Sequence, residues 1–154
     1  MTPLESARLL AEKYIDFQPR TAAEVRRKLA RAGYEEDVVE TVVADLERAE
    51  LLDDSRFSAD WVESRSRRKG LGKIRLAAEL RQKGVDRKQI DEATSELDPA
   101  AELKSALALV RKRVSPGDSA DPSAKRKLAA YLQRRGYNWE IIQQVFSELF
   151  ANEG

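Results

Sequence analysis

LAAELRQKGVDRKQIDEATSEL, residues 76–97, decides how this chain folds. Leu76 and Leu80 stand eight and four residues before Gly84, which puts them on one face of a helix that the glycine can end. Ile90 and Leu97 follow at six and thirteen residues after it, the spacing of a second helix beyond a tight turn. The same frame recurs on either side. Around Gly33 it reads Val25, Leu29, Val39 and Leu46, and around Gly136 it reads Leu128, Leu132, Ile142 and Leu149. Agreement at five aligned positions identifies a tandem repeat with a period of about 51 residues.

Working outward, each repeat gains a leading helix. Leading helices are predicted over about 4–16, 55–69 and 99–114. Second helices fall over about 22–32, 73–83 and 122–135, and third helices over about 35–49, 87–97 and 139–151. Thr2-Pro3-Leu4-Glu5 and Thr21-Ala22-Ala23-Glu24 read as capping boxes. Asp98-Pro99 and Asp121-Pro122 place a cap before a proline suited to the first helical turn, and Asn138 can cap the last helix. Gly33, Gly70, Gly84 and Gly136 stand where helices should stop. Leu9, Leu10 and Tyr14, then Phe57, Trp61 and Val62, then Leu103, Leu107 and Val110 should supply the leading-helix side of three small cores. Trp139 is expected in the core as well. Such cores are marginal alone and gain by stacking. The expectation is an all-α protein of three tandem three-helix repeats, 1–51, 52–97 and 98–154, forming an elongated, curved molecule. A flexible linker is expected over about 115–122, where Ser, Pro, Gly and Asp cluster.

The 154 residues contain neither cysteine nor histidine, which removes disulfides, thiolate chemistry, the commonest metal ligand and the usual general base. No cofactor and no metal are expected. No apolar run approaches the roughly 20 residues of a membrane span, and the N-terminal stretch lacks the pattern of a secretory signal, so a cytoplasmic protein is expected. No sustained heptad points to a dimer, so a monomer is expected. The net charge of +1 hides a gradient: 8 basic against 13 acidic residues over 1–55, 11 against 7 over 56–97, and 9 against 7 over 98–154. An acidic front and a basic middle and rear suit a face for an anion, nucleic acid included. Solvated helix surfaces would also account for charges at this density.

RSRRKGLGKIR, residues 65–75, concentrates the positive charge, with six basic residues in eleven. It is not a nucleotide-gripping P-loop: a helix precedes it rather than a strand, the frame is too short, and Ile74 follows Lys73 where Ser or Thr should bind magnesium. Two readings share the stretch. Arg65, Arg67, Arg68 and Lys69 in the last turn of a helix favour the negative end of its dipole. Lys73 and Arg75 open the next helix, where a cation is disfavoured unless an anion visits free backbone N–H groups. Lys125, Arg126 and Lys127 repeat the theme near the start of the corresponding helix one repeat later, with Arg111, Lys112 and Arg113 before it and Arg134 and Arg135 at its end. Carboxylate pairs such as Asp53-Asp54 fit an N-cap better than acid–base catalysis, and no enzyme is expected.

Leu52-Asp53-Asp54-Ser55-Arg56-Phe57-Ser58-Ala59-Asp60-Trp61-Val62, the basic stretch after it, and Ile74-Arg75-Leu76-Ala77-Ala78-Glu79-Leu80 running to Lys83-Gly84-Val85 closely resemble the central signature of the RecX family. The flanking repeats fit more loosely, with Ala32 where the others carry Lys83 or Arg135, and in the central repeat Gly72 stands one step before Lys73 in a slightly variable turn. The resemblance implies a three-repeat, all-helical regulator of the RecA recombinase. Such a regulator binds along the groove of the RecA–single-stranded-DNA filament and inhibits its ATPase, strand-exchange and coprotease activities, within recombination, DNA repair and the SOS response. The partners it implies are the RecA filament and the single-stranded DNA within it. The contact residues expected here are Arg65, Arg67, Arg68, Lys69, Lys73, Arg75, Lys125, Arg126 and Lys127. The helix–turn–helix shape of each repeat leaves a second reading, a DNA-binding module acting without RecA. Against it, the third helix of the first repeat carries Glu35, Glu36, Asp37, Glu40, Asp45 and Glu47, and that of the last repeat has no Lys or Arg to reach base edges.

Overall fold

The computed structural model describes residues 1–114 and 121–150. Nine helices and no strand occur among these residues. They are α1 (Pro3–Phe17), α2 (Ala22–Arg31) and α3 (Glu36–Arg48), then α4 (Asp54–Lys69), α5 (Lys73–Gln82) and α6 (Arg87–Ala93), then α7 (Pro99–Arg111), α8 (Pro122–Arg134) and α9 (Trp139–Phe150).

The helix starts follow the caps. Thr21 accepts a hydrogen bond from Glu24 N, and the Glu24 carboxylate accepts one from Thr21 N, closing a full capping box. Thr2, Asp98, Asp121 and Asn138 each accept from the backbone N–H three residues on, and Asp53 caps α4 in the same way through Arg56 N. The stops follow the glycines: Gly33, Gly70, Gly84 and Gly136 have φ of +92°, +62°, +83° and +97°.

Two compact units result: Met1–Asp60 with Leu80–Ile90, and Trp61–Glu79 with the described part of Asp91–Gly154. In the first, α1, α2 and α3 close on Val25, Leu29, Val42 and Leu46, all fully buried. In the second, α7, α8 and α9 close on Val110, Leu132, Ile142 and Val145. Val25, Leu29, Leu46, Leu132 and Ile142 among them are aligned apolar positions of the repeat, and replacing one such buried leucine by alanine typically costs about 2–5 kcal/mol.

Several expectations needed correction. α6 ends at Ala93 rather than 97, because Thr94–Leu97 closes in turns: Ser95 Oγ donates to Glu92 O at 2.8 Å and Leu97 N to Thr94 O at 3.0 Å. α7 stops at Arg111 rather than 114, where Val110 O takes both Arg113 N and Val114 N. Trp139 is 53% exposed, not in the core: it is the first residue after the Asn138 cap, and the apolar face of α9 begins at Ile141. Trp61 is half-buried, its indole N–H donating to Glu79 at 3.1 Å. Leu9 is 42% exposed because Ala7 and Ala11, four apart, turn the inner stripe of α1 toward the core instead. Of the expected linker, residues 115–120 lie outside the described residues, while Asp121 and Pro122 open α8.

Candidate anion-binding groove

The basic stretch lies within the second unit, and its two glycines have separate jobs there. Gly70 takes the left-handed conformation that ends α4 just after Arg67, Arg68 and Lys69, whose charges favour the negative helix end. Gly72 permits close approach: a Cβ there would lie 2.5 Å from Gly136 O, and its N–H donates to Arg135 O at 2.7 Å. Further bonds stitch the two turns together. Ile74 N donates to Gly136 O at 3.2 Å, Arg75 Nη1 to Arg134 O at 2.9 Å, Arg135 Nη1 to Lys69 O at 2.7 Å and Tyr137 OH to Gly70 O at 2.9 Å. Burial, with the nearby Glu102 charge, pushes the Tyr137 hydroxyl up to about 12, so it remains a donor at any ordinary pH.

The start of α5 differs from the expected free anion site. Lys73 N donates to Glu102 Oε2 at 3.1 Å, so the helix end is filled by the protein's own carboxylate. Glu102 is 8% exposed. Burial raises its pKa against the lowering effect of the Lys73 N–H and charge.

Beside these turns runs an open groove of about 1270 Å³. One wall is the end of α4: Arg65, Arg67, Arg68 and Lys69. Lys104 and Lys112 come from the α7 side, with Arg113 beyond them, and Arg134 and Arg135 come from the end of α8. Arg75 completes the set, and no Asp or Glu lines the groove among the described residues. Leu71, Ala108, Leu109 and Tyr131 give it an apolar part, and the Tyr131 ring lies 4.0 Å from the Arg113 guanidinium and 5.4 Å from that of Arg135. So many like charges around one concavity raise the local potential for an anion and make its binding salt-dependent.

Not all these cations are equally available. Arg65 is held by Glu79 through two bonds of 2.8 and 2.9 Å, and its guanidinium lies 4.7 Å from the Trp61 ring. Burial alone would raise the Glu79 carboxyl, but the Arg65 and Trp61 hydrogen bonds and the charges of Arg65 and Arg75 hold it below its usual range. Arg67 pairs with Glu63 on the surface of α4. Arg68, Lys69, Lys104, Lys112 and Arg134 are exposed.

Of the nine residues expected from sequence, the structure brings Arg65, Arg67, Arg68, Lys69 and Arg75 to the groove. Lys73 is exposed at the start of α5 but outside the lining. Lys125, Arg126 and Lys127 also lie outside it; Lys127 lines a smaller cavity of about 350 Å³ with Arg113 and Phe150, and Lys125 Nζ sits 5.5 Å from the Phe150 ring. Lys104, missed from sequence, joins because residues 104, 108 and 112 form an i, i+4, i+8 stripe along α7. Among the described residues no cluster of His, Cys, Asp or Glu could hold a metal ion, and no helix is long and apolar enough to cross a membrane.

Helical triplets in tandem with a cation-lined groove define a class of modular all-α proteins. The sequence patterns of the first, second and third three-helix domains of RecX match residues 7–46, 53–93 and 100–146. The chain is 40% identical to the regulatory protein RecX of Mycolicibacterium vanbaalenii, across 97% of this chain and 85% of that one. It is 40% identical to that of Amycolatopsis mediterranei, across 88% and 78%. It belongs to the RecX family. The crystal structure of RecX from Lactobacillus salivarius has the same fold, with a TM-score of 0.86 at 22% identity over 97% of both chains. A second crystal structure of a regulatory protein RecX gives 0.77 at 23% identity, over 93% of this chain and 71% of that one.

Proposed function

We propose that this protein binds the RecA–single-stranded-DNA filament and inhibits its ATPase, strand-exchange and coprotease activities. It acts as a non-enzymatic, monomeric, cytoplasmic regulator in recombination, DNA repair and the SOS response. The observation that carries the reading is the groove of the second unit, where ten basic side chains converge without a lining carboxylate among the described residues. Membership of a family whose relatives are named regulatory proteins supports a role in control rather than chemistry. The groove's part is electrostatic: it engages the filament's acidic surface or the phosphates of its DNA. Arg68 and Lys69 act at its α4 wall, with Lys73 at the edge. Lys125, Arg126 and Lys127 extend the contact along the first turns of α8.

The test is the ATPase rate of the cognate RecA on single-stranded DNA, titrated with this protein at fixed salt. Inhibition below one molecule per RecA supports the reading, and charge reversal at Arg68 and Lys73 should blunt it. An unchanged rate, together with binding to bare duplex DNA, would replace it with the DNA-binding module acting without RecA.

A further inference from the structure

The first unit, acidic in its sequence, carries one small cluster of the opposite sign. α1 ends at Phe17 because Gln18, which precedes Pro19, is held extended at φ −165° and ψ 160°. The chain then folds back, and Arg20 Nε donates to Tyr14 O at 3.2 Å. This pins the Arg20 guanidinium 3.8 Å from the Tyr14 ring and 5.9 Å from the Phe17 ring. Lys28 of α2 brings its Nζ to 5.2 Å from Tyr14. With Leu10 and Lys13 these side chains line a cavity of about 350 Å³ that no Asp or Glu enters among the described residues.

Phe17 sets this cluster apart from an ordinary solvated surface. Its side chain is 82% exposed, whereas the Tyr14 beside it is half-buried. A large apolar ring left in water, with a guanidinium fixed against its neighbour and two ammonium groups within the same cavity, matches an anion that also carries a flat apolar face. An acidic peptide would engage Lys13, Arg20 and Lys28 but leave the Phe17 ring exposed. A duplex would bring phosphates with its bases stacked away.

We infer that Tyr14, Phe17, Arg20 and Lys28, with Lys13, form a subsite for one unpaired nucleotide of a single-stranded nucleic acid, the base stacking on Phe17 and the phosphate meeting the cations. The subsite lies wholly in the first unit and does not depend on the groove.

The test uses the full chain and two fluorescent strands of about 12 residues, deoxythymidine and its abasic counterpart, a length within one site's usual reach. Phe17→Ala should weaken binding of the thymidine strand about tenfold, equal to about 1.4 kcal/mol, and leave the abasic strand unchanged. Phe17→Trp should preserve binding, with quenching of indole fluorescence on adding the strand. Lys13→Glu with Lys28→Glu should weaken both strands. The Phe17→Ala loss should persist in an Arg68→Glu background, which separates this subsite from the groove. Equal losses on both strands, no loss on either, or equal sensitivity of an oligoglutamate peptide to Phe17→Ala would overturn the inference.

Discussion

The same junction is built twice, once in each unit, with different electrostatics. In the first, the Lys83–Gly84 turn meets the start of α2: Thr21 Oγ1 donates to Lys83 O at 2.6 Å, and a Cβ on Gly84 would lie 2.2 Å from Ala23 Cβ. In the second, the Arg135–Gly136 turn meets the start of α5, where Gly72 N donates to Arg135 O and a Cβ on Gly136 would lie 2.3 Å from Arg75 Cβ. A carboxylate also caps each helix start, Asp54 through Ala22 N at 2.9 Å and Glu102 through Lys73 N at 3.1 Å. The difference lies in the pair facing across the turn. Glu24 and Lys83 stand 3.7 Å apart as an ion pair, whereas their repeat equivalents Arg75 and Arg135 are both cations that reach backbone carbonyls instead. A bond to the turn's carbonyl, from Thr21 Oγ1 in one unit and Gly72 N in the other, therefore ties each junction, and the facing side chains decide whether it ends neutral or as the edge of a basic groove.

The strongest way to break this comparison is to fill the glycines. Gly136→Ala adds a clash with Arg75 backbone atoms, 2.6 Å away at N, to the strain of φ +97°, and should destabilise the protein by about 3 kcal/mol. Gly84→Ala meets Ala23 and should fall close behind. Gly33→Ala meets nothing within 4 Å and should cost only the conformational strain, about 1 kcal/mol. Urea unfolding of the three variants checks the order; a Gly33→Ala as damaging as Gly136→Ala would mean the turns serve their own helices and not the junctions.

Next in size is the ion pair behind the groove wall. Glu79→Gln removes the charge that fixes Arg65 and should cost about 2 kcal/mol at neutral pH. Glu79 has a lowered folded pKa, so its contribution is present above the unfolded value of 4.5 and lost as pH falls through the folded one. The variant and the wild type should therefore converge in acid, which unfolding midpoints between neutral and acid pH would show.

Smaller again is the effect of single groove charges. Under the proposed function, Lys104→Glu should weaken inhibition of RecA about fivefold and reduce the salt slope by about one, as Arg68→Glu should, while Ala108→Ser on the same stripe should change little. A null result at Lys104 with a full effect at Lys125 would shift the contact surface from the groove to the first turn of α8.

The fold was largely legible because it rests on local rules repeated three times. Apolar positions four apart, a cap and a glycine stop are each visible in a single strand of text. The groove was legible only in part. Arg68 and Lys69 were visible as a run, but Lys104 is a lone lysine in sequence and reaches the groove only through helical periodicity and the packing of α7. Arg65 carried the opposite lesson: it reads like its neighbours until Glu79, fourteen residues on, is seen to hold it. Glu102 was invisible for the same reason, since nothing in its own helix says that it will cap another helix 29 residues earlier.

Glu102 and its counterpart Asp54 supply the smallest effect and the finest test of the shared junction. Burial is the leading cause of the raised pKa at both, opposed by the backbone N–H each one accepts. A raised folded pKa means that the native state holds the proton more tightly than the unfolded chain. The stabilisation is then fully present below the unfolded values, 3.8 for Asp54 and 4.5 for Glu102, and is lost as pH rises through the folded ones. Glu102→Gln keeps an oxygen for Lys73 N but has no proton to lose, so it should flatten this fall and equal or exceed the wild type in stability at neutral pH. Asp54→Asn should act with the same sign in the other unit. The sign is opposite to that of Glu79, only a few residues along α5 from the helix start that Glu102 caps. If both neutral variants instead lose stability at neutral pH, each carboxylate is stabilising its helix end as a charge, and the helix dipole outweighs burial at both junctions.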